Sequence, residues 1–278
     1  MIRRFALLLA TLALLMPSAF AADQPPLRVA VVPYLTPGVL LKLFEPVRSH
    51  LAQEMQRPIE LYTAPDIRTH VKRILLPDFD AVITAAHMGR LAQLEAGYLP
   101  VAGFESPLKG IISVRKESDI HSIADLKNRS LAINDRLVLV SIVTLQDMSS
   151  RGVGLNDIKV VSAVTQNSSL LSVAQGDVDA AITANFTLNQ IPEEQRQGMR
   201  IIHTTSTLPN VLFLANPKLP AAVRERMQQA LVGFGKTTAG NQFYKTSGYN
   251  GIVPLSDAYM KTIDLYIPET RRILANEP

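Results

Sequence analysis

The chain has 278 residues and no cysteine. That excludes disulfides, thiolate metal sites and a thiol nucleophile. It also excludes a lipid attached to an N-terminal cysteine after processing. Beyond the first twenty or so residues, no stretch approaches the ~20 consecutive apolar residues that span a bilayer. Basic blocks and aromatic-basic patches are missing too, so neither nucleic acid nor anionic lipid is expected as the main partner. The five histidines are scattered, with no H-E-x-x-H and no close pair, so no metal site and no cofactor is expected. There is no G-x-S-x-G elbow. Ser106-Pro107-Leu108-Lys109 spells the S-x-x-K of penicillin-recognising enzymes. That motif needs a helix, and Pro107 and Gly110 disfavour one here. No catalysis is expected.

The N-terminus reads as a targeting segment. Arg3 and Arg4 precede an uncharged apolar run from Phe5 to Met16, then Pro17-Ser18 and the small-x-small signature Ala19-Phe20-Ala21. This is the pattern of a cleavable secretory signal peptide over residues 1–21. Its removal takes away two basic residues and no acidic one, lowering the formal charge from +4 to +2. A soluble exported protein without a lipid fits the periplasm of a two-membrane bacterium, and a monomer is expected.

Two phrases far apart in the chain echo each other. Pro77-Asp78-Phe79-Asp80-Ala81-Val82-Ile83-Thr84-Ala85-Ala86-His87 matches Gln175-Gly176-Asp177-Val178-Asp179-Ala180-Ala181-Ile182-Thr183-Ala184-Asn185-Phe186 in the order Asp, Ala, apolar run, Thr-Ala. Apolar runs without alternation suit parallel strands covered on both faces. Ligands of open α/β sheets sit at the carboxyl ends of such strands. The echo therefore predicts two similar α/β lobes sharing one cleft.

The pattern from Leu27 to Phe104 reads as repeated β-α-β, hence a parallel sheet. A helix is expected from Pro37 toward Gln56, with the buried stripe Leu40, Leu41, Phe44, Val47, Leu51 and Met55. Glu105 to Gly110 reads as a crossing to a second lobe, and Thr204 to Pro209 as the return. Ser168 or Ser169 is expected to cap a helix ending at Gly176, and a continuous C-terminal helix is expected from about Ser256 to Leu274. The expected organisation is lobe 1 from 22–105 and 206–278, and lobe 2 from 106–205. Two crossovers between two lobes make a hinge that can close over a ligand.

Several segments, in this order, carry a resemblance: Val31-Val32-Pro33-Tyr34-Leu35, Phe44-Glu45-Pro46, Asp80 to Ala86, and Ser113 to Ile120. They continue with Ile123 to Lys127, Gln175 to Ala180, Lys218-Leu219-Pro220, and Gly251 to Tyr259. Together the chain resembles the exported substrate-binding proteins of phosphate, phosphite and phosphonate uptake systems. The resemblance implies a two-lobed α/β type II periplasmic-binding-protein fold with two hinge crossovers, and closure on a small molecule. It implies delivery to an inner-membrane ABC permease. A sensor with the same fold, docking on a membrane receptor or histidine kinase, is the alternative.

The chain departs from the family where the family's chemistry sits. Members usually carry Ser-Thr-Ser-Gly after the Asp that matches Asp135, where phosphoryl oxygens dock on hydroxyls and backbone N–H groups. Here the register holds Val138-Leu139-Val140-Ser141. The family's His before the echoed strand is replaced near Gln166 and Asn167, and its often acidic strand tip is Ala184-Asn185.

The candidate ligand-binding residues follow from loop and strand-end positions. Tyr34 and Thr36 follow the first strand, and Thr84 and His87 follow the third. Asn134, Gln166, Asn167 and Asn185 are amides near second-lobe strand ends and can both donate and accept. Arg136 offers a planar donor fork that could replace lost phosphate ligands. Ordinary structural roles are the alternatives: packing for Tyr34, a structural histidine for His87, a solvated loop side chain for Arg136. Amides beside apolar Val138 and Leu139 point to a neutral or singly charged, partly apolar ligand.

Overall fold

The computed structural model describes residues 24–76 and 78–276. The expected signal peptide, and Pro77 of the first echoed phrase, lie outside the described residues. In chain order the first sheet begins with β1 (Leu27–Val31), α1 (Pro37–Met55), β2 (Ile59–Tyr62) and α2 (Ile67–Ile74). It continues with β3 (Ala81–Ala85), α3 (Ala86–Ala96) and β4 (Leu99–Phe104). The second sheet holds β5 (Gly110–Arg115), β6 (Ser130–Ile133), α4 (Leu139–Ser150), β7 (Lys159–Ser162), α5 (Gln166–Gln175), β8 (Ala180–Ala184), α6 (Glu193–Gln197) and β9 (Met199–Thr204). The chain then returns through β10 (Val211–Ala215), α7 (Ala221–Gly233), α8 (Thr238–Ser247) and β11 (Ile252–Pro254). It ends in α9 (Asp257–Thr262) and α10 (Ile267–Ala275).

Strand order is β11-β4-β10-β3-β1-β2 in one sheet and β7-β6-β8-β5-β9 in the other. The sheets are mixed rather than parallel as the β-α-β pattern predicts. The reason lies in the crossings. β10, arriving on the return passage, inserts antiparallel between β3 and β4. β5, arriving on the outward passage, inserts antiparallel between β8 and β9. Each sheet thus takes an antiparallel strand from the chain that enters it, and the first sheet gains a second at its edge, where β11 pairs antiparallel with β4. The passages lie side by side: Leu208 N–H donates to Leu108 O at 2.7 Å and Thr205 N–H to Gly110 O at 2.9 Å.

The echoed strands occupy equivalent places. β3 lies between β1, parallel to it, and the inserted β10. β8 lies between β6, parallel to it, and the inserted β5. The shared Asp has a shared task, holding the start of the parallel neighbour. Asp80 Oδ2 accepts from Arg28 N–H at 2.8 Å. Asp179 Oδ2 accepts from Ser130 N–H at 2.8 Å and from the Ser130 hydroxyl at 2.7 Å. Those bonds hold the Asp179 carboxyl below its ordinary range, against the opposing effect of its partial burial.

The helices follow their apolar stripes. Leu40, Phe44, Val47, Leu51 and Met55 form the buried face of α1, and Pro37 opens it. Leu41, expected in that stripe, is only half-buried. Thr165, not Ser168 or Ser169, caps α5: its hydroxyl accepts from Ser168 N–H, and the Ser168 hydroxyl reciprocates. The helix consequently starts one turn early, and Gln166 and Asn167 belong to its first turn. The C-terminal helix is interrupted by a 3-10 turn at Ile263–Tyr266, after which Pro268 sits in the first turn of α10. One buried apolar cluster runs across both lobes. It joins Met88 and Leu91 of α3 with Leu137, Leu139, Val140 and Ile142 at the start of α4, and with Ile263 and Ile267 near the C-terminus. Among the described residues no helix is long and apolar enough to cross a membrane.

Candidate functional site

The carboxyl ends of β1, β3, β6 and β8 and the paired crossings leave three cavities that share Tyr34. The largest, about 510 Å³, runs between Tyr34, Leu35 and the end of α8 on one side and Asn167, Asn185 and Phe186 on the other. A second, about 290 Å³, lies between the Thr36 and Asp66 helix starts of lobe 1 and Asn134, Asp135 and Thr165 of lobe 2. An inner pocket of about 80 Å³ is walled by Val32, Met88, Leu108, Val138, Ala184 and Phe186. It lies where the apolar start of α4 meets lobe 1.

Tyr34 is held from behind. The Tyr249 hydroxyl donates to Tyr34 Oη at 3.1 Å, and the Tyr249 ring stacks on Phe104 with centroids 3.9 Å apart. Burial pushes Tyr34 well above the ordinary tyrosine range, with Tyr249 adding to the shift. Burial likewise raises Tyr249 to about 12. Both are therefore neutral donors and acceptors at any physiological pH.

The amides are positioned by backbone. Asn185 Oδ1 accepts from Lys109 N–H at 3.0 Å, and Asn185 N–H donates to Lys109 O at 2.9 Å. This ties the tip of β8 to the outward crossing. Gln166 Oε1 accepts from Ala184 N–H at 2.6 Å and from the Thr187 hydroxyl at 3.0 Å. Asn134 Nδ2 donates to Val164 O at 2.9 Å. The Asn167 carboxamide has no hydrogen-bond partner among the described residues and lines the large cavity.

Of the residues predicted from sequence, Tyr34, Asn167 and Asn185 line the largest cavity, Thr36 and Asn134 the second, and Gln166 the inner pocket. Thr84, His87 and Arg136 line none of the three. Thr84 is fully buried and its Oγ1 meets His70 Nε2 at 3.0 Å. The last polar residue of β3 faces the helix layer, not the cleft. His87 is fully buried; its Nε2–H donates to Leu137 O at 2.8 Å, a bond from lobe 1 to lobe 2. Burial pulls it down to about 4, against the opposing effect of that bond, so it is neutral. Its Nδ1 has no partner among the described residues. Arg136 is exposed in the turn before α4 and lines a different cavity with Ile142, Glu269 and Arg272.

Sequence reasoning misses Phe186, the 3-10 turn at Asn185–Gln190 and the segment Thr246–Asn250. Gly248 is the available signal for the last. It ends α8 with a left-handed φ of 77°, and the chain after such a stop turns sharply, here bringing Tyr249 beneath Tyr34.

A family model described as "ABC transporter, phosphonate, periplasmic substrate-binding protein" matches residues 29–260. Among solved structures, PhnD1 from Prochlorococcus marinus in complex with methylphosphonate superposes with a TM-score of 0.76 at 15% identity, covering 90% of this chain and 98% of that one. A binding-protein component of an ABC phosphonate transporter from Pseudomonas aeruginosa gives 0.74 at 14% identity, over 92% and 91%. XAC2383 from Xanthomonas citri, bound to chloride ion, gives 0.74 at 16%, over 89% and 99%. At these identities the superpositions show the fold, that of type II periplasmic binding proteins.

Proposed function

We propose, from the premise that this chain belongs to the family of periplasmic substrate-binding proteins of phosphonate ABC transporters, that it captures a small molecule between its lobes. It hands that molecule to an inner-membrane permease without transforming it. Residues 22–105 with 206–278, and residues 106–205, would be the two bodies that close. The periplasm would be the place of work after removal of residues 1–21.

The observation that carries this reading is the convergence of three cavities on Tyr34 beside the paired crossings. A solute lying there touches side chains of both lobes, so binding favours the closed arrangement by its difference in affinity for the two states. The family's phosphate seat supports a narrower statement. At the start of α4, Leu139 and Val140 are buried and Val138 half-buried in the cluster that joins the lobes. In the register the resemblance implies, these apolar side chains stand where the family has hydroxyls able to cradle phosphoryl oxygens. Simple alkylphosphonates would therefore lose the donors a dianion requires.

Reconstituting the neighbouring permease and ATPase in proteoliposomes tests the delivery role. Purified protein is expected to stimulate ATP hydrolysis, and Tyr34→Ala to reduce that stimulation. Binding of a solute with no stimulation of any co-encoded transporter would instead favour a sensory role.

A further inference from the structure

We propose that the solute accepted by this cleft carries no negative charge: an uncharged or cationic, partly apolar small molecule. The inference rests on the reading of the cleft as the solute site and names the class of solute.

The charge inventory of the cleft is one-sided. Among the described residues, no lysine, arginine or histidine lines any of the three cavities around Tyr34. The only ionisable side chains besides the tyrosines are Asp66 and Asp135, one from each lobe, in the second cavity. The largest cavity has no acidic or basic side chain at all. Cations reach the lining only through its residues: Arg196 donates to Asn189 Oδ1 at 3.1 Å and is itself paired with Glu193, and Lys72 lies near enough to Asp66 to act on its carboxyl.

Helix starts are the other source of positive potential, and several face this cleft. Only some of their leading N–H groups are taken: Asp66 and Thr165 cap α2 and α5, whereas no side chain caps α1, α3 or α4. α1 opens on Pro37, which has no N–H to offer. Asp66 accepts from Thr69 N–H at 2.7 Å at the start of α2. The Thr165 hydroxyl accepts from Ser168 N–H at 3.0 Å at the start of α5. Ahead of α4, Asp135 Oδ1 accepts from Leu137 N–H at 2.8 Å and Asp135 O from Val138 N–H at 3.2 Å. Asp66, which caps α2, and Asp135, which braces the turn ahead of α4, bring the negative charge that an anion would have to meet.

What the cleft offers instead is amides and apolar surface. The carboxamides of Asn167 and Asn250 have no hydrogen-bond partner among the described residues, and both line the largest cavity. Each presents a donor and an acceptor without net charge. They sit beside Phe186 and the inner apolar pocket, where an uncharged group is cheap to bury and an unpaired oxyanion is not.

The test is a thermal-shift and calorimetry panel on the whole mature chain, with probes grouped by charge. Methylphosphonate, inorganic phosphate and succinate are the anions, N-acetylglucosamine and maltose the uncharged probes, and choline and putrescine the cations. The same panel is run on the Asn167→Ala/Asn250→Ala variant, which removes no internal hydrogen bond. Stabilisation by an uncharged or cationic probe, weakened at least tenfold in the variant, is the expected result. An anion that stabilises the chain and is weakened in the variant overturns the proposal and leaves the cleft as the solute site. Stabilisation unaffected by the variant, or none from any group, removes the cleft reading itself and the proposal with it.

Discussion

Leu139→Ala separates two roles that one side chain plays. Leu139 is 2% exposed and belongs to the apolar cluster that joins α3, the start of α4 and the C-terminal segment. If the lobes part, part of that cluster meets water, and Leu139 loses lobe 1 as its neighbour. Removing it then costs the closed form more than the open one. Full burial of a leucine is worth about 1.5–3 kcal/mol, and tenfold corresponds to about 1.4 kcal/mol. The closed-to-open ratio should fall by roughly 10- to 150-fold if its burial depends on closure. The absence of cysteine makes the assay direct. Glu54→Cys and Asp177→Cys place one dye on the exposed surface of each lobe. Single-molecule energy transfer then reads lobe separation without ligand. The expected outcome is a high-transfer population in the parent that loses weight to a low-transfer one in Leu139→Ala. An unchanged distribution, with the melting temperature lowered as for an ordinary core truncation of about 2–5 kcal/mol, would refute the reasoning. It would mean that Leu139 is packed within a single body.

Other outcomes follow from the same geometry. Tyr34→Phe or Tyr249→Phe alone breaks the hydroxyl pair at 3.1 Å and should lower the unfolding free energy by about 1–2 kcal/mol. The double variant should cost less than the sum, as a double-mutant cycle in urea would show. His70 and His87 are both pulled by burial to about 4, below the unfolded value of about 6.5. Their stability is complete above pH 6.5 and is lost as pH falls toward 4, because the unfolded chain takes up the protons first. Each should contribute a slope of about 1.4 kcal/mol per pH unit across that window. Urea midpoints from pH 7 to 4.5 in the parent and in His70→Gln and His87→Gln check it by the loss of slope. Gly110→Ala would set a Cβ 2.5 Å from Thr144 Oγ1 and 3.1 Å from Val140 O. The clash drives α4 from the hinge strand and should cost about 1–3 kcal/mol, measurable by calorimetry.

The lobes were legible because their signals are repeated and local. The Asp–Ala–apolar–Thr-Ala phrase marks β3 and β8, and both copies of the Asp brace the neighbouring strand. The mixed character of the sheets was not legible. β10 and β5 read as ordinary apolar runs, and nothing local says that a strand will insert backwards between two others. The cleft divides the same way. Tyr34 and the amides, chosen by the rule that strand ends face ligands, line the cavities around Tyr34. Thr84, at the end of β3, turns toward His70 of α2, and His87, in the first turn of α3, is buried against Leu137 O, so neither lines these cavities. Arg136 lines a different cavity because the apolar run after it packs across the lobes and turns the loop outward. The Thr165 cap was hidden by two serines that are equally good caps in isolation.

The paired crossings limit which motions are open to the molecule. Bonds from Leu208 to Leu108 and from Thr205 to Gly110 knit the two connections into a narrow ribbon. A ribbon of this kind twists and flexes easily about its own length but resists sliding one rail past the other. The lobes are therefore confined to something near a single swing coordinate, like a clamshell rather than a ball joint. If the lobes close on a cargo as proposed, it would arrive in nearly the same register at every closing.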